Sequence, residues 1–428
     1  MMEAITMFLR SVTLKQVRSI EHVELHFGED AHPRPWTVIL GQNGCGKSTI
    51  LRSIALLTAG SDALPELLRT PDEWIRNGHP RCEMSAVLET AAGEQRDIGL
   101  TIARGASLAA IFGENRETLE RLDAAIANSG RNYFTAGYGV SRRFQSQQTF
   151  APGSAFNQVR SRNIATLFSS DATLLPLEAW AADFHYRYGD DALAVLRDIF
   201  DQLLPGVSFR EIDRQNSRVL FDTPDGVVPL DRLSDGYQNV AAWCGDLVST
   251  VSRVFQDYRN PLEARGLLLI DEIDLHLHPV WQRRLREYLS LKLPHFQIVA
   301  TTHSPLTAHQ CGPGELHCFA RPQPSDPPVL TAYPGEPRKL LLHQLLLDPI
   351  FGLETMDSLE VSRMKSQLTG LKGKKRRTKA ETSRMSDLRV ELADLPSWTG
   401  ASLVPAKVLE AMGSLAAKAA AGKGRKRS

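Results

Sequence analysis

Trp36-Thr-Val-Ile-Leu-Gly-Gln-Asn-Gly-Cys-Gly-Lys-Ser-Thr-Ile-Leu-Arg-Ser-Ile-Ala-Leu-Leu57 reads as a short apolar strand, a glycine-rich turn and a helix. The turn, Gly41 to Ser48, fits Gly-x-x-x-x-Gly-Lys-Ser/Thr, and it sits between strand and helix, the context this pattern requires. Its glycines let consecutive backbone N–H groups turn inward around phosphate oxygens, and the positive end of the following helix adds to the attraction. Phosphate contacts are expected from Gln42, Asn43, Gly44, Cys45, Gly46, Lys47, Ser48 and Thr49. Lys47 would reach the β- and γ-phosphates of ATP, and the Ser48 hydroxyl would ligate Mg²⁺.

A second segment complements the first. Leu267-Leu-Leu-Ile-Asp-Glu272 is a buried-strand sequence ending in two carboxylates. Alternation along a strand predicts that Asp271 and Glu272 face opposite ways and so do different jobs. Asp271 is assigned to the Mg²⁺ shell. Glu272 is assigned as the general base on the attacking water, a role worth roughly 10²–10⁴ in rate. About thirty residues on, the strand Gln297–Thr302 ends in His303-Ser-Pro305, which makes His303 a candidate sensor of the γ-phosphate. In Asp274-Leu-His276-Leu-His278-Pro279 the alternating histidines are read as a loop at a dimer interface, with Asp274 placed there, rather than as a metal site.

Working outward, Phe8–Leu14 and His22–Phe27 predict an antiparallel strand pair, and Glu83–Ile102 a hairpin turning near Ala92-Gly93. Residues 119–128 read as helix and 132–140 as strand. Helices follow, including 177–187 and 191–204. A second hairpin turns at Pro224-Asp-Gly226, and a helix starts near Ser234, whose hydroxyl is placed to cap it. Strands alternating with helices predict an α/β fold with a mostly parallel sheet covered on both faces. A head over 1–333, with an inserted helical lobe at about 141–215, would precede a helical, basic C-terminal extension over 334–428.

With 42% hydrophobic and 23% charged residues, the composition is ordinary for a soluble chain. No apolar run approaches the ~18 residues of a membrane span and no signal-peptide plan is present, so a cytoplasmic protein is expected. Five cysteines without a Cys-x-x-Cys pair argue against a disulfide framework. His309, Cys311, His317 and Cys318 match no zinc spacing and are read as ordinary loop residues. From Pro334 to Ser428, 18 basic side chains stand against 10 acidic ones, a net +8 with His neutral, while the preceding segment carries a net −7. An acidic partner or a solvated tail would each account for that split. Its densest part is the run from Lys372 to Lys379, and it ends in the Ala- and Lys-rich stretch Ala416 to Ser428.

Leu233-Ser234-Asp235-Gly236-Tyr237-Gln238 resembles the Leu-Ser-Gly-Gly-Gln signature of ABC ATPases, with Asp235 and Tyr237 as departures. Together with Ala-Gly-Tyr138-Gly139-Val-Ser-Arg142, the Asp271–Pro279 segment and Thr-Thr-His303-Ser-Pro, it is similar to the RecF/OLD-like ABC ATPases, and most to the ATPase subunits of Septu-type, retron-associated anti-phage systems. The resemblance covers about residues 8–320, and Asp348–Leu353 looks like a segment following the head in those proteins. It implies an ABC-type P-loop head with a mixed sheet and an inserted lobe. It also implies an ATP-glued head-to-tail dimer, or a higher oligomer, in which Ser234 and Gly236 touch the γ-phosphate held by the partner. Tyr138 lies where such heads carry the Q-loop, with Gln145, Gln147 and Gln148 as alternatives. Arg18 matches an N-terminal arginine that touches nucleotide phosphate.

The function implied is a slow, regulatory ATPase that senses or regulates a separate nuclease, such as an HNH protein. The basic run Lys372–Lys379 would be available to nucleic acid. A RecF-like DNA-repair clamp is the alternative, and a transporter subunit fits least.

Overall fold

Period-two alternation along the apolar strands is what layers this molecule. The structure, a computed structural model, describes residues 7–29, 32–90, 93–142, 159–175, 177–204, 206–213, 216, 218–255, 258, 260–323, 325–351, 353 and 355–393. Gln145, Gln147, Gln148 and the tail from Ala416 lie outside the described residues. In chain order the elements used below begin with β1 (Met7–Val17), β2 (Ile20–His26), β3 (Trp36–Gly41) and α1 (Lys47–Ala59). Next come β4 (Arg81–Thr90), β5 (Gln95–Ala103), α2 (Arg116–Ser129) and β6 (Thr135–Tyr138). The lobe supplies α3 (Leu177–Tyr188), α4 (Asp190–Leu203), β7 (Ser208–Asp213), β8 (Arg218–Thr223) and β9 (Gly226–Pro229). Then follow α5 (Asp235–Val254), β10 (Gly266–Ile270), α6 (Pro279–Lys292), β11 (Phe296–Thr302), β12 (Leu316–Ala320) and β13 (Val329–Ala332). Last are α7 (Leu359–Gly373) and α8 (Lys379–Ala393). No helix among the described residues is long and apolar enough to cross a membrane.

The central sheet has six strands in the order β13-β12-β3-β11-β10-β6, parallel except at the β13 edge. Ile39, Leu267, Leu269 and Val299 point to one face, where they meet α1 and the N-terminal strands. Val38, Leu40, Leu268, Ile270, Ile298 and Ala300 point to the other and pack against the lobe helices and α5. Because β11 lies between β3 and β10, the segments leaving these three strands emerge side by side, the edge where parallel sheets hold ligands.

The N-terminal sheet, ordered β2-β1-β4-β5, is antiparallel throughout. A bulge between Leu9 and Ser11 interrupts its β1–β4 register. There the buried Gln297 side chain, from β11 of the other sheet, accepts from the Leu9 N–H at 2.8 Å and donates to its carbonyl at 2.9 Å. One amide thus acts as a strand partner and rivets the two sheets together.

Two boundaries differ from expectation. The lobe contains a third strand, β7, hydrogen-bonded to β8. Ser208-Phe-Arg-Glu-Ile-Asp213 carries three charges and only two apolar side chains, so its period of two is faint in sequence. It is held instead by Phe209, which stacks on Phe200 and meets Phe221 edge to face in the lobe core. The first compact unit also runs through Gly352 rather than stopping at 333. Residues past 333 are anchored by Leu345, which is fully buried, and by Tyr333 Oη donating to Asp348. The second unit, Leu353–Ser428, contains α7 and α8. Thr378 and Glu381 form a reciprocal capping box at the start of α8.

Gln297→Leu keeps volume but removes both bonds to Leu9 in a buried place. Urea unfolding is expected to show a loss of about 2–4 kcal/mol, the usual cost of stranding two buried backbone groups. A change under about 0.5 kcal/mol would mean that the bulge does not need the amide.

Candidate functional site

The P-loop turn owes its shape to close approach. Gly46 sits at φ 104°, and a Cβ there would lie 2.7 Å from Ser19 Oγ, so only glycine fits. Gln42, Asn43 and Gly44 are exposed, whereas the Cys45 thiol is buried in the core under α1. The N–H groups of Gly44, Cys45 and Gly46 find no acceptor among the described residues, which suits them to an anion at the N-terminus of α1. Ser48 is half-buried in the first turn of α1, and Thr49 is buried behind it. Any contribution of Cys45 to a ligand would therefore come from its backbone.

Lys47 lies almost wholly out of solvent. Its ammonium donates to the Gly41 carbonyl at 2.8 Å and the Gln42 carbonyl at 3.0 Å, and lies 2.8 Å from His303 Nε2. Burial holds this ammonium below its ordinary pKa, partly offset by Asp271, Cys45 and Glu272. The His303 imidazole is also held below its ordinary value, first by burial and then by the Lys47 charge. Its Nε2 is 3.7 Å from Glu272 Oε1, and both side chains remain about a third exposed. His303 is presented by the end of β11, with Ser304 turning the chain by accepting from the Leu306 and Thr307 N–H groups.

The two carboxylates part company, but not by strand alternation. β10 ends at Ile270, and Glu272 takes a left-handed conformation with φ 46°. The turn, not the pleat, sends Asp271 inward and leaves Glu272 open to the site. Asp271 Oδ1 accepts from Thr301 Oγ1 at 2.6 Å, and the same oxygen of Thr301 accepts from the Glu272 N–H at 2.8 Å. Asp274 does not face outward as expected: its carboxylate is buried and accepts from Thr302 and Thr307 of the same chain. His276 also has a positive φ, 63°, and His278 caps α6. The two histidines therefore serve the turn.

Two other expectations change, for Tyr138 and Ser234, and Arg18 is packed within its own chain. The Tyr138 side chain is in the core, its hydroxyl donating to the buried Asp246 at 2.9 Å, so it does not reach the P-loop. What Tyr138 offers the site is its carbonyl, which accepts from the Asp271 N–H. Ser234 occupies the cap position of α5, yet its exposed hydroxyl makes no capping bond. Arg18, at φ 53°, lays its guanidinium over the Trp74 ring at 4.2 Å, and burial and Arg52 lower its pKa.

Lys47, Asp271, Glu272 and His303 are thus brought together. Ser234 and Gly236 are not hydrogen-bonded or ion-paired to the P-loop among the described residues. Gly236 is required where α5 crosses the loop after Glu272, since a Cβ there would lie 2.6 Å from the His276 carbonyl. His309 lies against the Leu340 carbonyl, and Cys311, His317 and Cys318 are buried. No three His, Cys, Asp or Glu side chains group as a metal would need among the described residues.

Arg142 closes the Ala-Gly-Tyr-Gly-Val-Ser-Arg motif, and sequence alone gave it no role. It is fully buried and donates from Nε to Asn239 Oδ1 at 3.1 Å. It also donates to the carbonyls of Gly139 at 3.2 Å, Asp271 at 2.5 Å and Glu272 at 2.7 Å. Burial draws its pKa down to about 10, well above neutrality, so it remains a cation. No sequence spacing links 142 to 271; only an arginine in an apolar neighbourhood could have hinted at it.

The family of AAA domains described as "putative AbiEii toxin, Type IV TA system" matches residues 36–308. Among curated proteins, the Septu protein PtuA of Bacillus mycoides (strain KBAB4) is 25% identical over 358 residues, 82% of this chain and 46% of that protein. The Retron Ec83 probable ATPase of Escherichia coli is 31% identical over 125 residues, 29% of this chain and 23% of that protein. The OLD nuclease of Thermus scotoductus is 24% identical over 348 residues, 70% of this chain and 60% of that protein. The chain therefore spans about half the length of the PtuA relative. These matches agree with the resemblance to Septu-type, retron-associated and OLD-like ATPases drawn from the motifs.

The Lys47–His303 contact has a measurable consequence. In Lys47→Ala one of the two causes holding the His303 imidazole down is gone, so its pKa should rise. NMR of labelled histidine rings tests this. An unchanged His303 titration would mean the two groups do not share a site.

Proposed function

The chain belongs to the AAA-domain family described as putative AbiEii toxin of type IV toxin–antitoxin systems, and we propose that it is the ATP-binding and hydrolysing subunit of a bacterial anti-phage defence complex. The observation that carries the ATPase reading is the meeting of the Lys47 ammonium, the His303 imidazole and the Asp271–Glu272 turn where three neighbouring parallel strands end. The free N–H groups of the P-loop cradle the phosphates, and Lys47 exchanges its loop carbonyls for phosphate oxygens. Ser48 and Asp271 would hold Mg²⁺, which neutralises phosphate charge when bound. Glu272 accepts the proton of the attacking water. His303, whose pKa burial and then the Lys47 charge hold below its ordinary value, stands beside it to orient that water.

Ser234 and Gly236 act on the nucleotide of a second copy. Their distance from any bond to their own P-loop, the exposed hydroxyl and the uncapped start of α5 all support that arrangement. Two complete sites then arise in a head-to-tail dimer, and larger assemblies can build on it. Arg18 contributes a phosphate contact from the N-terminal sheet. Turnover is slow and regulatory, timing the state of the complex in the cytoplasm.

The likeness to proteins named for Septu and retron systems supports the defence role. On this reading the effector is a separate nuclease such as an HNH protein. The turn between α7 and α8 supplies a nucleic-acid contact. There Lys374 pairs with Glu381 and Arg377 caps the carbonyls of Leu371 and Lys372, while Lys372, Lys375, Arg376 and Lys379 are exposed.

Glu272→Gln should lower the hydrolysis rate at least tenfold and trap a dimer that light scattering detects only with ATP; full turnover would remove Glu272 as the base. Ser234→Arg should keep ATP affinity within about twofold and abolish turnover. Mixing it with Lys47→Ala protein should restore part of the activity, because one intact composite site then forms. Full turnover by Ser234→Arg alone would sink the shared site.

A further inference from the structure

Glu272 is not a glycine, yet it holds φ 46°. Left-handed backbone is unfavourable for an ordinary residue, and it persists only where the surroundings over-determine it. Here both flanking peptide groups are pinned. The Glu272 N–H is held by Thr301 Oγ1 at 2.8 Å, and its carbonyl by Arg142 at 2.7 Å. Thr301 belongs to a buried central strand and has little freedom. Arg142 is different, because its guanidinium is shared among three elements.

One side of the guanidinium grips the carbonyls of Asp271 and Glu272, and a further bond reaches Gly139 in its own turn. Its Nε is held by Asn239 Oδ1. Asn239 lies about one helical turn into α5, whose N-terminus carries Ser234 and Gly236. The guanidinium is planar and rigid, so a displacement of Asn239 is passed to the two carbonyls rather than absorbed by a flexible stem. With the group fully buried, water cannot substitute for a bond that is lost.

We propose that Asn239 and Arg142 form a link through which nucleotide engaged at the exposed start of α5 sets the backbone of Glu272 in the same protomer. The link rests on the shared-site reading above. Engagement of Ser234 and Gly236 by the partner's nucleotide fixes the first turn of α5. Asn239 holds Arg142, and Arg142 holds Glu272 in its left-handed conformation, already in the single chain, and engagement secures that arrangement against loosening at α5. Each site therefore turns over about tenfold faster when the other is filled, and hydrolysis is cooperative in ATP. Arg142 and Asn239 are positioning residues; neither touches the reacting atoms.

Asn239→Leu and Asn239→Asp, which differ in whether an acceptor faces Arg142 Nε, are to be compared as full-length proteins with matched melting curves. Asn239→Leu should leave KM and nucleotide affinity within about twofold, lower kcat about tenfold and bring the Hill coefficient for ATP to 1. Asn239→Asp should retain kcat within about threefold and keep the cooperativity. Arg142→Lys, which keeps the charge but not the fork, should match Asn239→Leu, and the double variant should lose no more than either single one. Wild-type kcat in Asn239→Leu, equal losses in the Leu and Asp variants, or a loss carried in KM would each overturn the link. Should Asn239→Leu melt early, Arg142→Lys measured against wild type decides in its place, and wild-type kcat there overturns the link. Failure of the shared site itself reads differently: Ser234→Arg would then turn over at the wild-type rate, whatever Asn239 does.

Discussion

The molecule depends on the burial of one parallel sheet between two apolar layers. Five neighbouring strands, β12, β3, β11, β10 and β6, run parallel, and their side chains alternate into two separate cores. Buried on both faces, such strands cannot slip by one residue without exposing one core to water and burying polar groups in the other. Register is therefore strongly specified, and with it the height at which each strand ends. The P-loop, Asp271 and His303 stand side by side because Ile39, Thr301 and Ile270 are locked in adjacent rows.

That framework leaves polar groups inside, and the structure answers three of them with main-chain hydrogen bonds rather than with an ion pair. Gln297 completes the hydrogen bonds of a bulged strand in another sheet. Arg160 donates to the carbonyls of Thr58, Ala59 and Tyr133. Arg142 donates to three carbonyls and one amide. In each case a charged or amide side chain satisfies main-chain oxygens or N–H groups where the chain leaves regular structure. Removing one such group strands several partners at once, which is why these positions carry more energy than exposed ion pairs such as Arg116–Glu120. The same device reaches the candidate site, because two of the carbonyls held by Arg142 belong to Asp271 and Glu272.

Within that site, the Lys47–His303 contact and the Asp271–Thr301–Glu272 chain of bonds describe a cluster already assembled around the phosphate-binding turn. Pre-set donors and acceptors of this kind cost no reorganisation when a charged ligand arrives. On the proposed reading, the exposed start of α5 of a second copy, where Ser234 makes no capping bond, would face the far side of that ligand.

The sequence by itself determined the α/β class, the strand–turn–helix of Trp36–Ala59, the apolar strands β10 and β11, and most helices of the lobe. Each is a local matter: hydrophobic period, glycine placement and side-chain type within a few residues. It also marked Lys47, Ser48, Asp271, Glu272 and His303, since those residues stand at strand ends next to a recognisable turn. Tertiary structure alone decided that a turn rather than the pleat separates Asp271 from Glu272. It also decided that Tyr138 and Asp274 face inward, that β7 joins the lobe sheet and that the first unit reaches Gly352. The roles of Gln297 and Arg142 belong here too. They join positions separated by 288 residues and by about 130, and no short-range pattern encodes a hydrogen bond across that span. Local chemistry shows which side chains are available, but only the packed chain brings an acceptor within 3 Å of a buried donor and excludes the water that would otherwise replace it.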